Sequence, residues 1–231
     1  MFEKRSYKLE RIDTGDYTPE EYETFLREIR FINRVLGDVW ALRKTLLREI
    51  ETEDLNEFSV LDVGAGSGEL LREIAVFARN QNRKTKLCGL DLNEISARAI
   101  FEESKNYDEI HAIRGDGLNL PFAEDAFDYA ICSLFTHHLT DENVVRLLSE
   151  MRRVARRGVF AIDLHRHKNA YFAYKIFCVV FRISSLVRED GSLSILRSFK
   201  PDELKLLGEK ANLENVSVEK HFPSRLVLRG S

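Results

Sequence analysis

The chain has 231 residues, 44% of them hydrophobic and 32% charged, with 35 Lys+Arg against 38 Asp+Glu and a net charge of −3. At roughly 150 residues per domain this is one to two domains of chain, long enough to bury a core without disulfide or metal staples. The near-balanced charge gives no global drive towards nucleic acid or an anionic membrane, and four prolines and twelve glycines exclude collagenous and low-complexity classes.

The first third reads helical. Thr18-Pro19-Glu20-Glu21 has the form of an N-cap, a proline at the first helical position and an acidic first turn. Apolar residues follow at Tyr22, Phe25, Ile29, Ile32, Leu36, Val39 and Trp40, spaced mostly by three or four, and residues 42–50 continue the pattern. Residues 51–56 are a polar break. Beyond it the period changes, with strand-like runs at 58–63, 84–91, 110–114, 127–133 and 158–164. Helical stretches at about 69–79, 94–105 and 141–155 lie between them. Strands alternating with helices of ten or more residues predict crossover units and a parallel sheet. Residues 165–199 break the rhythm as an insertion with an aromatic centre at Tyr171, Phe172, Tyr174 and Phe177. A helix restarts at Lys200-Pro201-Asp202 and runs to about Ala211, and strands at 216–218 and 226–228, joined by a short turn around Pro223, are expected to be antiparallel.

Cys88, Cys132 and Cys178 sit in apolar contexts without CxxC or CxxH spacing, so they are expected to be buried, reduced thiols. The N-terminus is charged from its third residue and lacks the apolar core of a signal peptide. The longest apolar run of the aromatic stretch, 176–181, is too short to span a bilayer. Cytoplasmic location and no stable membrane insertion are the expectation.

The stretch Val60-Leu61-Asp62-Val63-Gly64-Ala65-Gly66-Ser67-Gly68 carries the most information. Glycines at alternate positions between a strand and a helix let the backbone turn tightly and approach a ligand, and the helix start presents free N–H groups. The spacing is G-x-G-x-G, whereas a nicotinamide or flavin fingerprint is G-x-G-x-x-G. Asp62 would repel a pyrophosphate beside this loop but attract an ammonium group. Asp91 ends the second strand, where a carboxylate can accept both hydroxyls of a ribose, and Asp116 follows the third, placed to receive an exocyclic amine such as that of adenine. Three acids on one carboxyl edge thus describe a ligand with a ribose, an adenine and a positive charge. Asp125 and Asp128 are read instead as shaping the turn into the fourth strand.

The runs VLDVGAGSGEL, GLDLN and GDGLNLPFAEDAFDYAICS resemble the class I S-adenosylmethionine-dependent methyltransferases. The resemblance covers about residues 58–164 by motif. It implies an α/β, Rossmann-like, doubly wound seven-stranded sheet, mostly parallel with a reversed last strand, plus N-terminal helices and a lid insertion. The implied organisation is a single domain, with a helical cap at 1–57, a cofactor-binding core at 58–164, a lid at 165–199, and a closing helix and antiparallel strands at 200–231. By the same resemblance Gly64, Ala65, Gly66 and Gly68 line the amino-acid part of S-adenosylmethionine with Asp62 behind them. Asp91 would hold the ribose and Leu92 would pack on the adenine. Asp116 and Gly117 would read the adenine edge, and Ser133 and Leu134 would sit under the sulfonium methyl.

Methyl transfer from a sulfonium is an in-line displacement in which a base is needed only if the acceptor must lose a proton. Histidines cluster after the fourth and fifth strands, at His137 and His138 and at His165 and His167. An imidazole with an ordinary pKa of roughly 6.5 can take a proton from a phenol or enol. His137 is the candidate catalytic residue, while His138, beside Asp141 at a helix start, is expected to pack or hydrogen-bond locally. No E-x-x-E-H pattern is present, and adjacent histidines lack metal-ligand spacing, so no metal is expected. Tyr171, Phe172, Tyr174, Ile176, Phe177, Val180 and Phe181 would either wall an apolar pocket or cover the sheet. Tyr17, Tyr22, Phe25, Phe31 and Trp40 would close the other side.

An aromatic-lined cavity favours a small apolar or aromatic acceptor over protein or nucleic acid. No Asn/Asp-Pro-Pro-Tyr motif follows the fourth strand, which favours oxygen or carbon acceptors over exocyclic nitrogen. The expected activity is O-methylation of a phenol, polyketide or quinone precursor by a monomer or homodimer. C-methylation of a similar ring, or a non-catalytic cofactor-binding module, stands as the alternative. The glycine spacing and Asp62 disfavour a nicotinamide dehydrogenase.

Overall fold

The computed structural model describes residues 2–231. Seven strands, β1 (Glu57–Val63), β2 (Lys84–Asp91), β3 (Ile110–Arg114), β4 (Phe127–Ser133), β5 (Ala155–Leu164), β6 (Ser217–His221) and β7 (Arg225–Gly230), form one sheet. Its order is β3-β2-β1-β4-β5-β7-β6. The first five strands pair in parallel, and β7 lies antiparallel between β5 and β6. The doubly wound sheet with a reversed strand near its end is therefore as expected.

Side-chain alternation along buried parallel strands supplies two cores, one on each face. On one face Leu61 and Val63 of β1 join Val144 and Leu148 of α7 (Asp141–Val154) and Leu204 of α10 (Pro201–Lys210). On the other, Phe58 and Val60 join Leu71 and Ile74 of α5 (Glu69–Asn80) and Leu46 and Ile50 of the N-terminal region. Each fully buried aliphatic side chain contributes roughly 1.5–3 kcal/mol of transfer free energy. The crossovers from β1 to β3 and from β4 to β5 run in opposite directions from the centre. Their divergence at β1 and β4 leaves a crevice at the carboxyl ends of the strands.

The N-terminal third departs from the expected single run through Trp40. α1 (Arg11–Thr14), unforeseen in the sequence, precedes α2 (Pro19–Leu36). Thr18 caps α2 through a reciprocal box with Glu21. Gly37 then ends the helix at φ +103°, where an added Cβ would lie 2.7 Å from the Phe222 carbonyl oxygen. Only glycine permits both that dihedral and that approach. α3 (Asp38–Leu42), a π-helical turn (Arg43–Leu47) and α4 (Arg48–Thr52) follow.

The aromatic insertion is two helices, α8 (Lys168–Val180) and α9 (Ser185–Arg197). With α2 they form a third core, including Ile32, Tyr174, Cys178, Val187 and Ile195, over the crevice. All three cysteines are buried and unpaired. Asp128 is structural, but it lies within β4 and ties neighbouring strands rather than shaping the turn before them: it accepts from the Ser59 N–H at 2.8 Å and binds Arg156 and Arg157 at 2.8 and 3.0 Å. These arginines belong to β5, which starts three residues earlier than the sequence suggested.

Candidate active site

The crevice opens into a cavity of about 810 Å³, near the upper end of the roughly 300–1,000 Å³ range of ligand sites. One end is built from strand ends. Gly64, Gly66 and Gly68 all have left-handed backbones, with φ of +72°, +57° and +75°. An added Cβ on Gly64 would press on the Phe135 ring at 2.8 Å, while one on Gly66 would meet nothing within 4 Å and point into open space. Gly64, Ala65 and Gly66 line the cavity. Gly68 does not; it turns the chain into α5, close against Ile100, so its role is to shape the loop.

Asp91 holds this loop in place. Its two carboxylate oxygens accept the N–H groups of Gly66 and Asn93, each at 2.9 Å. Burial raises its pKa, and those two hydrogen bonds oppose the rise. Beneath the loop Asp62 is buried, with Oδ1 lacking any hydrogen-bond partner. Burial, helped by the nearby Asp91 charge, pushes its carboxyl up to about 8. An unpartnered buried carboxyl under a left-handed glycine cradle fits a ligand that brings a cation there.

Leu92 is 66% exposed on the cavity rim, so it is no core residue. Asp116, also on the rim, accepts the Leu118 N–H at 2.9 Å, and Gly117 packs against Val63. Ser133 and Leu134 line the wall beyond β4. The Ser133 hydroxyl donates to Asp38 at 3.3 Å, and Asp38 forms a buried two-point pair with Arg225 at 2.9 and 2.6 Å. Leu134 adopts φ +51°, a strained setting for a branched side chain. The structure thus gathers the residues predicted for the cofactor at one end of one cavity, with Gly68 just outside it.

The other end is built from side chains distant in sequence. A 3-10 turn (Thr136–His138) places His137 in the cavity wall. Its Nδ1 lies 2.6 Å from Asp163 Oδ1, and its backbone N–H donates to Asp163 Oδ2 at 3.0 Å. Burial opposes ionisation of Asp163. The His137 charge and hydrogen bonds from His137, Thr136 and the Leu164 N–H override it and hold the carboxyl at about 2. An ionised Asp163 needs a donor, so Nδ1 of His137 carries a proton and Nε2 is the ring nitrogen left to exchange one. Nε2 is 4.0 Å from Glu10 Oε1, which is buried without a hydrogen-bond partner.

Glu10 gave no signal in the sequence. It comes from the N-terminal segment, which is strapped across α9 by the Asp190 carboxylate accepting the Arg11 and Ile12 N–H groups, each at 3.0 Å. Burial raises the Glu10 carboxyl to about 7, against the pull of His138, Arg197 and the Ser194 hydroxyl. His138 pairs with Asp13 at 2.6 Å, rather than finding a partner at Asp141, which binds Arg5 instead. Glu10, His137 and His138 offer ligand-type atoms within 4.8 Å of one another, a grouping that adjacent histidines alone did not suggest. Arg197 already sets a positive charge there, 3.5 Å from Glu10 Oε1, while donating to the backbone carbonyls of His137 and His138 at 3.0 and 2.6 Å. Asp163 was also missed in the sequence, although its place at the carboxyl end of β5 is the same signal that singled out Asp91.

Several expected wall residues lie elsewhere. His165 is drawn into a bridge with Phe199, and exposed His167 caps α8 by accepting the Asn169 N–H; neither lines the cavity. Of the aromatic insertion, Tyr174 and Phe177 face inward, but Phe172, Ile176, Val180 and Phe181 point out, because one helix can turn only one stripe to the pocket. Tyr17, Tyr22 and Phe25 close the opposite side as a stacked row, with centroids 5.0 and 5.8 Å apart. Phe31 and Trp40 are exposed.

A family profile described as "Methyltransferase domain" matches residues 60–158. A demethylmenaquinone methyltransferase of Staphylococcus carnosus is 27% identical over 193 residues, covering 78% of this chain and 76% of that protein. Among solved structures, a SAM-dependent methyltransferase from Aquifex aeolicus superposes with a TM-score of 0.65 at 18% identity, over 93% of this chain and 98% of that one. A magnesium protoporphyrin IX methyltransferase from Synechocystis, solved with bound SAH, gives 0.60 at 14% identity over 86% of both chains. With the glycine cradle, the strand-end acids and this sheet order, the chain is a class I S-adenosylmethionine-dependent methyltransferase.

Proposed function

We propose that the enzyme methylates a small apolar ring bearing an ionisable hydroxyl, a phenol or quinol, with His137 as general base and Asp163 as its positioning partner. The observation that carries this reading is the His137–Asp163 pair, which opens into a cavity walled by Tyr22, Phe25, Tyr174 and Phe177. The demethylmenaquinone methyltransferases among the relatives support a quinone-type ring. S-adenosylmethionine, when bound, supplies an electrophilic methyl group on a sulfonium.

Asp91 receives the ribose, Asp62 faces the amino-acid ammonium, and Gly64, Ala65 and Gly66 keep side chains out of the cofactor's path. Leu92, Asp116 and Gly117 bracket the adenine, while Ser133 and Leu134 flank the methyl position. Nε2 of His137 takes the hydroxyl proton of the acceptor. The electron pair released on oxygen, or delocalised to a ring carbon, forms the new bond to the methyl carbon as the carbon–sulfur bond breaks towards sulfur. O-methylation is the first reading. C-methylation starts from the same deprotonation and ends with loss of the ring proton. The Arg197 guanidinium beside Glu10 supplies the positive charge that a divalent ion would otherwise bring, so the reaction is assigned no metal.

The test is transfer of a radiolabelled methyl group to a panel of alkylphenols and reduced quinones, before and after exhaustive chelation. Nuclear magnetic resonance of the product separates oxygen from carbon methylation. Transfer that survives chelation is expected. Tight cofactor binding with no turnover on any hydroxylated ring would replace the enzyme reading with that of a binding module.

A further inference from the structure

The helices that wall the acceptor end carry apolar side chains on their outer faces as well. On α8, Phe172, Ile176, Val179 and Val180 are 58, 65, 71 and 66% exposed, and Phe181, just past its end, is 50% exposed. Their spacing of four, three and one places them on a single stripe. Phe31 of α2 extends the patch, stacking on Phe177 at 5.9 Å and meeting the edge of Phe181 at 5.3 Å, with exposed Val35 one turn further along α2. Scattered exposed hydrophobics need no explanation, but a contiguous patch on two neighbouring helices does.

Charge indicates what covers it. Residues 165–188 contain no Asp or Glu. Lys168, Lys175 and Arg182 are exposed along the same helix and just beyond it, and the Lys175 ammonium reaches back over the Tyr171 ring at 4.8 Å. An apolar stripe with flanking cations that can reach sideways is the pattern of a helix lying in a lipid–water interface. α8 has 13 residues, about 20 Å of helix, and no helix among the described residues is long and apolar enough to cross a membrane. A second copy of the chain fits less well, because a two-fold contact through this stripe would bring each basic flank against its own equivalent.

We infer that the outer face of α8, with Phe31 and Val35 of α2, docks on an anionic lipid surface. The inner faces of the same two helices, through Ile29, Tyr174 and Phe177, line the acceptor end of the cavity. Docking therefore sets the cavity one helix thickness from the bilayer, and a lipid-dissolved acceptor reaches it without crossing water. That purpose, though not the docking itself, rests on the apolar-acceptor reading.

The test is flotation of the full chain with vesicles of phosphatidylcholine alone and of phosphatidylcholine mixed with phosphatidylglycerol. Light scattering of the vesicle-free protein reads its oligomeric state. Binding to the anionic vesicles, weakened by high salt, is expected. An Ile176→Asp/Val180→Asp variant should lose it by about tenfold or more. The same variant should keep its cofactor affinity and its turnover of a short, water-soluble phenol, since neither side chain lines the cavity. Wild-type protein that stays out of the anionic vesicles at low salt, or a variant that binds them equally well, would overturn the inference. So would a wild-type dimer that the two substitutions convert to monomer. Loss of phenol turnover in wild type with vesicle binding intact would count against the proposed reaction only.

Discussion

The two ends of the cavity are built differently. The proposed cofactor end consists of main chain and strand-end residues between Asp62 and Leu134, and its hydrogen bonds, such as Gly66 to Asp91, follow directly from the parallel register of β1 and β2. The proposed acceptor end is a set of side chains whose bonds join residues 125 apart, as in His138 with Asp13, or 184 apart, as in Ser194 with Glu10. The family match covers residues 60–158 and so includes all of the first end, but omits Glu10, Asp163 and Arg197 of the second. The family profile therefore speaks to the methyl donor, and the acceptor side must be read chiefly from the long-range contacts.

The largest effect that would separate the two ends is expected at His137. His137→Ala should lower kcat by roughly 10²–10⁴, with cofactor affinity from calorimetry held within about twofold. Asp163→Asn should fall in the same direction, because the amide no longer favours the Nδ1–H form of the ring. Full turnover in His137→Ala would remove the base from the acceptor end and leave positioning alone to drive the transfer.

Next in size is the Asp38–Arg225 pair, which ties the N-terminal helices to β7 beneath Ser133. Both side chains are buried, so Arg225→Met strands a carboxylate and should cost about 3–5 kcal/mol, read as a lower denaturation midpoint. Acceptor KM should rise more than cofactor Kd, since the cap closes the acceptor side. Equal losses at both ends would mean that the cap supports the whole cavity alike.

What the sequence made legible follows the same division. The strand and helix pattern from β1 to α7 could be read because each element carries its own period and each turn its own glycine or acid. Asp62, Asp91 and Asp116 stood out because parallel strands bring their carboxyl ends to one edge whatever the side chains do. Glu10 could not be found this way: it lies in a short, irregular N-terminal stretch and gains meaning only when Asp190, Ser194 and Arg197 fold over it. The direction of α8 was hidden for a related reason. A helix apolar on both faces has no periodic contrast to say which stripe turns inward, and here Tyr174 and Phe177 do while Ile176 and Val180 do not.

A smaller effect is expected from Asp91→Ala. It removes two charged hydrogen bonds that hold the glycine loop, together with the proposed ribose contact, and should weaken S-adenosylmethionine and S-adenosylhomocysteine alike by roughly 10–100-fold. At saturating cofactor kcat should stay close to that of the wild type. An unchanged affinity would take the ribose away from Asp91 and break the account of the cofactor end, while leaving that of His137 intact.

The smallest effect, and the one that most sharpens the electrostatics, is a proton. In the cofactor-free protein, burial and the Asp91 charge raise the Asp62 carboxyl from the ordinary 3.8 to about 8. Between those values the native state binds more protons than the unfolded chain, so stability of the cofactor-free protein falls as pH rises through that window. An ammonium held beside Asp62 favours the carboxylate, so binding below about pH 8 should release up to one proton. Cofactor affinity should accordingly rise by at most roughly tenfold per pH unit up to that point and then level off. Calorimetry in two buffers of different ionisation enthalpy counts the proton, and Asp62→Asn should abolish both the release and the slope. S-adenosylhomocysteine keeps the ammonium but lacks the sulfonium charge, so equal release with both ligands would assign Asp62 to the amino-acid end. Release with S-adenosylmethionine alone would move its partner to the sulfur, and no release with either would leave Asp62 as a neutral support of the loop.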